Sequence, residues 1–84
     1  MQAHDILPDH ASEVQINGTA IRKGTVGAFL ANAAALRQPD VSDAERQRAL
    51  NDIVAALPAL KALGLFDALE IRDLQLRDFV ESRL

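Results

Sequence analysis

Residues 13–25 of this 84-residue chain read EVQINGTAIRKGT. An Asn-Gly pair between alternating apolar residues is the strongest short-range signal for a β-hairpin, because a type I′ turn needs a positive φ at both central positions. Asn17 and Gly18 fit those two positions. Side chains alternate along a strand, so one face of the hairpin then carries Val14, Ile16, Thr19 and Ile21.

The polar face of the hairpin supports the same register. Glu13 lies opposite Arg22 there, and a cross-strand pair of opposite charges contributes ~0.2–1 kcal/mol. A one-residue slip would place Val14 and Ile16 across from polar partners and mix the two faces. The sequence therefore predicts a hairpin over about 13–23 in a single register.

Composition limits the class of protein. The chain is short enough for one domain, and 49% hydrophobic with 25% charged residues is typical of an ordinary globular fold. We expect a mobile leader over 1–12 and a single domain over 13–84. The absence of cysteine excludes disulfides, thiolate metal sites and a cysteine nucleophile.

Charge and hydropathy patterning limit the partners. A net charge of −3 and a pI near 5.2 argue against nucleic acid as a ligand, because such binding depends on phosphate neutralisation by Lys and Arg. No apolar run approaches the ~20 residues of a membrane span, and the N-terminus lacks a signal-peptide pattern. We therefore predict a cytoplasmic protein. Arginine is more frequent than lysine and alanine is abundant, which is typical of a GC-rich bacterial genome, so we also predict a bacterial source.

Two amphipathic helices follow the hairpin. Thr25 is the expected N-cap of a helix over about 26–37, and Gly27 would let that helix approach the hairpin closely. Ser42 and Glu45 form a capping-box pattern at the start of a second helix over 43–57. The expected core-facing positions of the two helices are Val26, Phe29, Leu30, Ala33, Leu36, Ala49, Leu50, Ile53, Val54 and Leu57.

Pro58 leaves two interpretations open. Because proline lacks the backbone N–H and clashes with the preceding turn, the helix can end near Leu57 and a short helix can occupy 58–63. The other interpretation is one long helix that is kinked at Pro58. We favour two helices, with Gly64 as the C-terminal stop in either case.

The C-terminal part is the most ambiguous. Alternation over about 67–72 favours a third strand with Leu69 and Ile71 facing inward, followed by a helix over about 74–83 with Asp73 as its N-cap. The alternative is one helix over 66–83. A third strand would also stabilise the sheet, since an isolated hairpin is marginal in water. The predicted fold is a small two-layer α+β domain, with this sheet packed against three to four helices.

One segment is both a predicted strand-to-helix junction and a candidate binding site. Arg22, Lys23, Gly24 and Thr25 lie where the second strand meets the first helix, within residues 22–27. Free N–H groups at a helix N-terminus attract anions. This segment matches neither a phosphate-binding loop nor a dinucleotide fingerprint, so the structural interpretation, a helix cap beside a solvated strand end, is favoured.

The remaining candidates for chemistry are weaker. His4, Asp5, Asp9 and His10 lie within seven residues, yet their spacing matches no zinc site, and a solvated leader is the favoured interpretation. The hydroxyl residues form no triad with either histidine, so we predict no catalytic residues, metal or cofactor.

The predicted function is therefore stated only as a class. We expect a small non-enzymatic protein that acts through an unidentified protein partner or through self-association, such as a homodimer, and not at a membrane. The alternative is a small-ligand or anion-binding protein that uses residues 22–27.

Overall fold

The hairpin forms as the sequence predicts. A computed structural model describes Gln2 and residues 13–84. In it strand β1 (Glu13–Ile16) pairs antiparallel with strand β2 (Thr19–Arg22), and Glu13 lies opposite Arg22. Asn17 and Gly18 have φ values of 50° and 79°, as the predicted turn requires. The predicted register is confirmed.

The first helix, α1 (Thr25–Leu36), begins one residue earlier than predicted. Its N-cap is Gly24, with φ 88°, and not Thr25. The Thr25 hydroxyl instead donates a hydrogen bond to the carbonyl oxygen of Arg22 at 2.7 Å. The threonine therefore closes the turn between β2 and α1, and a glycine that tolerates the left-handed conformation takes the capping position.

The second helix, α2 (Asp43–Leu63), is one continuous helix, so the predicted break at Pro58 is wrong. Its N-terminus is capped as expected, because the Ser42 hydroxyl accepts from the backbone N–H of Glu45 at 3.1 Å. Ile53, Leu57 and Leu60 form a buried line that runs past Pro58 on the opposite, core-facing side. Tertiary packing on both sides of the proline outweighs its cost to the helix.

The end of α2 is defined by Gly64. This residue has φ 84°, and its N–H reaches the carbonyl oxygens of Leu60 and Lys61, as the sequence predicts for a C-terminal stop. The side-chain amide of Asn17 donates to the carbonyl oxygen of Ala62 at 2.8 Å and so ties the hairpin turn to the same helix end.

The predicted third strand over 67–72 is wrong, and so is the alternative of one helix over 66–83. A single helical turn, α3 (Leu65–Ala68), is followed by a linker over 69–73 and then by α4 (Leu74–Glu81). The linker starts in an extended conformation at Leu69, but no backbone hydrogen bond joins residues 70–72 to another described segment. In the described residues the sheet has two strands.

The start of α4 follows the sequence. Asp73 is its N-cap, and its carboxylate accepts from the backbone N–H of Leu76 at 3.0 Å. Before it, the Glu70 carboxylate pairs with the Arg77 guanidinium across the helix start. These two contacts fix the direction in which the linker enters α4.

The central helix α2 contacts β2, α1 and α3, so the hairpin and the helices share one scaffold. Ile53, Leu60 and Val80 are the largest fully buried side chains. The rings of Phe29 and Phe66 meet edge-to-face with centroids 6.0 Å apart. The architecture is a small α+β domain, as the sequence predicts.

Candidate functional site

The segment predicted to bind anions is an exposed turn. Arg22 and Glu13 lie opposite each other, with Nε 3.9 Å from Oε2 and side chains 84% and 47% exposed. Lys23 and Gly24 are also exposed. An ion pair so open to solvent contributes little to stability.

The structure brings the four predicted residues into one turn, and two of them, Gly24 and Thr25, have structural roles there. The Thr25 hydroxyl is used by the bond to the Arg22 carbonyl, and Gly24 provides the positive φ at the helix start. Among residues 13–84, no side chain caps the N-terminus of α1. Anion binding at Arg22, Lys23, Gly24 and Thr25 therefore stays a prediction.

The candidate metal ligands of the sequence lie in a different part of the chain. His4, Asp5, Asp9 and His10 lie outside the described residues. Within residues 13–84, no group of three or more His, Asp or Glu side chains is placed to hold a metal ion.

A groove with a mostly apolar lining lies beside α1 on the surface that the described residues form. We call it the α1 groove; it has a volume of about 300 Å³. Helix α1 forms one wall with Val26, Leu30 and Ala33, and the linker forms the other with Leu69 and Ile71. The buried ring of Phe29 and the half-buried ring of Phe66 also line it.

The charged groups of the α1 groove number two of each sign: Arg37, Arg72, Glu70 and Asp73. Two of them already have structural partners. Glu70 pairs with Arg77, and Asp73 caps α4. The groove therefore has apolar walls and charged residues of both signs at its edge. Its two carboxylates stabilise the start of α4.

Two leucines of the α1 groove are left in solvent. Leu30 is 60% exposed and Leu69 is 63% exposed, although the sequence pattern places both toward the core. For Leu69 the error follows from the missing third strand, since the linker has no sheet to turn its side chain inward. Leu30 lies at the edge of the apolar stripe of α1, beyond the reach of the residues packed against Phe29 and Ala33.

Helix α1 is unusual because it carries no charged side chain. Its sequence is TVGAFLANAAAL, and Thr25 and Asn32 are its only polar side chains. A helix that is apolar all round is normally buried. Here only Phe29 and Ala33 are buried, while Gly27, Leu30 and Ala31 are exposed. This composition is the sequence signal that could have identified the surface.

The expectation that Gly27 brings α1 close to the hairpin is wrong. A Cβ atom added at this residue would meet no atom of the described residues within 4 Å. Gly27 therefore lies next to open space in the described part of the chain, on the side of the helix that also presents Leu30.

Two larger hollows are more open to solvent than the α1 groove. One, of about 590 Å³, lies between the linker and α4 and contains the Glu70–Arg77 ion pair. The other, of about 410 Å³, is lined by Val54, Pro58 and Leu84 with the cations of Lys61 and Arg83. Neither combines apolar walls with an uncharged helix.

None of the described helices is both long and apolar enough to cross a bilayer. Comparison of the chain with protein-family models, with curated proteins and with solved structures finds no match.

Proposed function

We propose that this protein is a non-enzymatic interaction module that binds a protein partner through the α1 groove and the adjoining exposed side of α1. The observation that carries the proposal is the charge-free helix α1, left exposed beside an apolar groove with Leu30 and Leu69 at its edge. Exposed apolar surface of this kind on a small protein marks an interaction site.

The chemistry of the groove supports binding over catalysis. Acid–base catalysis needs a titratable group that is positioned toward a reacting atom. The Asp73 carboxylate is held by the backbone N–H of Leu76, and that of Glu70 by Arg77. Apolar side chains, among them Leu30, Leu69 and Ile71, supply most of the remaining contact area and act by excluding water from an interface.

The test compares three immobilised baits: the wild-type chain, Leu30→Asp and Val54→Asp. Val54 is a matched control because it is an exposed aliphatic residue, 39% accessible, on α2 and outside the α1 groove. We expect the wild type and Val54→Asp to retain the same partner chains and Leu30→Asp to retain at least about tenfold less, since a charge in an apolar contact costs more than a kcal/mol. Equal recovery on all three baits would contradict the proposal.

A further inference from the structure

The hollow beside Pro58 differs from the α1 groove in its charge. We call it the Pro58 hollow; its volume is about 410 Å³, and it shares no lining residue with the α1 groove. Lys61 and Arg83 are its charged lining residues, and both are cations. In a chain that carries −3 overall, the hollow is therefore a local positive site with apolar walls.

Both cations can accept an anionic ligand. Among residues 13–84, neither Lys61 nor Arg83 forms an ion pair with a carboxylate. The Arg83 guanidinium lies 3.7 Å from the centroid of the Phe79 ring, and its Nη1 donates to the Phe79 carbonyl oxygen at 3.1 Å and to the Ser82 hydroxyl at 3.0 Å. Its Nε and Nη2 hydrogens are left for a ligand. A guanidinium that is already held in place loses less entropy when it binds an anion.

Pro58 adds a hydrogen-bond acceptor to the hollow. In an α-helix the N–H of each residue donates to the carbonyl oxygen four residues earlier, and proline has no N–H. The Val54 carbonyl group therefore lacks its usual donor, although α2 is continuous through Pro58. Val54 and Pro58 are exposed and both line the hollow, so a ligand there can supply the missing donor.

The acceptor and one cation converge on the same turn of α2. Helix carbonyl groups point toward the C-terminus, whereas side chains lean toward the N-terminus. The Val54 carbonyl oxygen and the Lys61 side chain therefore approach the turn that contains Pro58 from opposite directions. Leu57 and Leu84 add apolar surface beside it. The hollow thus presents an acceptor, two cations and apolar walls close together.

We propose that the Pro58 hollow binds the C-terminal residue of an extended peptide that ends in an aliphatic side chain. The terminal carboxylate pairs with Lys61 and Arg83, and the last backbone N–H donates to the Val54 carbonyl oxygen. The aliphatic side chain packs against Pro58 and Leu84. One terminal residue carries all three groups next to one another, whereas a fatty acid has no N–H. Because the hollow is open to solvent, the preceding residues of the peptide can continue outward.

The first test titrates the full chain with acetyl-Gly-Gly-Leu and with its C-terminal amide, followed by the amide resonances of the protein. We expect the free acid to bind with a dissociation constant of ~0.1–1 mM and to shift the resonances of residues 59–61 and 83–84. The amide should bind at least about tenfold more weakly, because it lacks the charge. An amide that binds as tightly as the acid overturns the proposal. Binding this weak does not survive the washing of an immobilised bait, so Val54→Asp stays a valid control for the α1 groove.

Matched variants locate the contact with the carboxylate. Lys61→Gln and Arg83→Gln each remove one cation of the hollow, and Arg48→Gln removes an exposed cation elsewhere on α2. We expect the first two to weaken binding of the free acid at least about fivefold and Arg48→Gln to leave it within about twofold. Circular dichroism checks that all three stay folded. Equal weakening by the three variants would show a diffuse charge effect and overturn the site.

Pro58→Ala separates the hydrogen bond to the ligand from the stability of the fold. Alanine restores the N–H that satisfies the Val54 carbonyl oxygen within α2, so the acceptor is no longer offered to the peptide. We expect the free acid to bind at least about threefold more weakly, while the protein itself becomes more stable. Unchanged affinity in Pro58→Ala overturns the proposal. Octanoate that binds as tightly as the tripeptide would assign the hollow to fatty acids and overturn the peptide terminus as its ligand.

Discussion

Asn17 in the hairpin turn donates its side-chain amide to the carbonyl oxygen of Ala62 in the last turn of α2, at 2.8 Å and across 45 residues of sequence. The last four carbonyl groups of a helix have no partner within the helix. Asn17 satisfies one of them while holding the positive φ that its turn requires. One residue therefore fixes both the hairpin and its attachment to the helical layer.

Replacement of Asn17 separates these two roles. Asn17→Gly keeps the backbone conformation and loses the bond, so the free energy of unfolding should fall by about 0.5–1.5 kcal/mol. Asn17→Ala should cost a further ~1–2 kcal/mol, because alanine resists the left-handed conformation. Urea denaturation of the three proteins measures both steps. A Gly variant as stable as the wild type would show that the bond to Ala62 contributes nothing.

Pro58 lies on the exposed side of a continuous helix, and its removal should stabilise the protein. Pro58→Ala restores a backbone N–H and should raise the free energy of unfolding by up to ~3 kcal/mol. Ala55→Pro, at another exposed position of α2, should lower it by a similar amount. Thermal and urea unfolding measure both. A loss of stability in Pro58→Ala would mean that a bend there is required to seat Leu57 and Leu60.

Two neighbouring residues of α2 provide a test of the core. Ile53 is fully buried, whereas Val54, which its spacing placed toward the core, is 39% exposed, so that prediction is wrong for Val54. Ile53→Val removes one buried methyl group and should cost about 0.5–1.5 kcal/mol, while Val54→Ala should stay within about 0.5 kcal/mol of the wild type. The comparison uses chemical denaturation with both variants at the same pH. An equal loss of unfolding free energy in the two variants would mean that Ile53 does not lie on the buried face of α2.

The predicted anion site at Arg22, Lys23, Gly24 and Thr25 has its own test, with inorganic phosphate as the probe. Binding there should shift the amide resonances of residues 24–27, because those N–H groups point out of the N-terminus of α1. Arg22→Ala combined with Lys23→Ala should remove the shifts, and the same pair of changes at Arg46 and Arg48 should not. Spectra that stay unchanged up to the highest phosphate concentration rule the site out.

Local sequence signals predicted the parts of the fold that local chemistry determines. The register of the hairpin follows from Asn17-Gly18 and from the alternation around it. The caps at Ser42, Gly64 and Asp73 follow from side chains or a glycine within three residues of a helix end. The structure confirms these predictions because no distant residue is needed to satisfy them.

One failed prediction is local, because Gly24 and not Thr25 caps α1, but the others depend on distant neighbours. Alternation at Leu69 and Ile71 describes an extended segment, but only a hydrogen-bonded neighbour makes such a segment a strand, and none is present in the described residues. Pro58 was expected to end a helix that packing on its buried side keeps intact. Leu30 was placed in the core by its spacing, but it is 60% exposed because no element among residues 13–84 covers it.

The Asn17–Gly18 turn has a consequence for the chemical ageing of the protein. Asn-Gly is prone to deamidation, since the unhindered glycine nitrogen can attack the side-chain carbonyl carbon of asparagine and expel ammonia, and water then opens the cyclic imide. The product replaces a donor with a carboxylate that faces the Ala62 carbonyl oxygen at the negative end of α2. Deamidation of Asn17 would thus remove the hydrogen bond that connects the hairpin to α2. The lifetime of a stored sample therefore depends on how stable this hydrogen bond is.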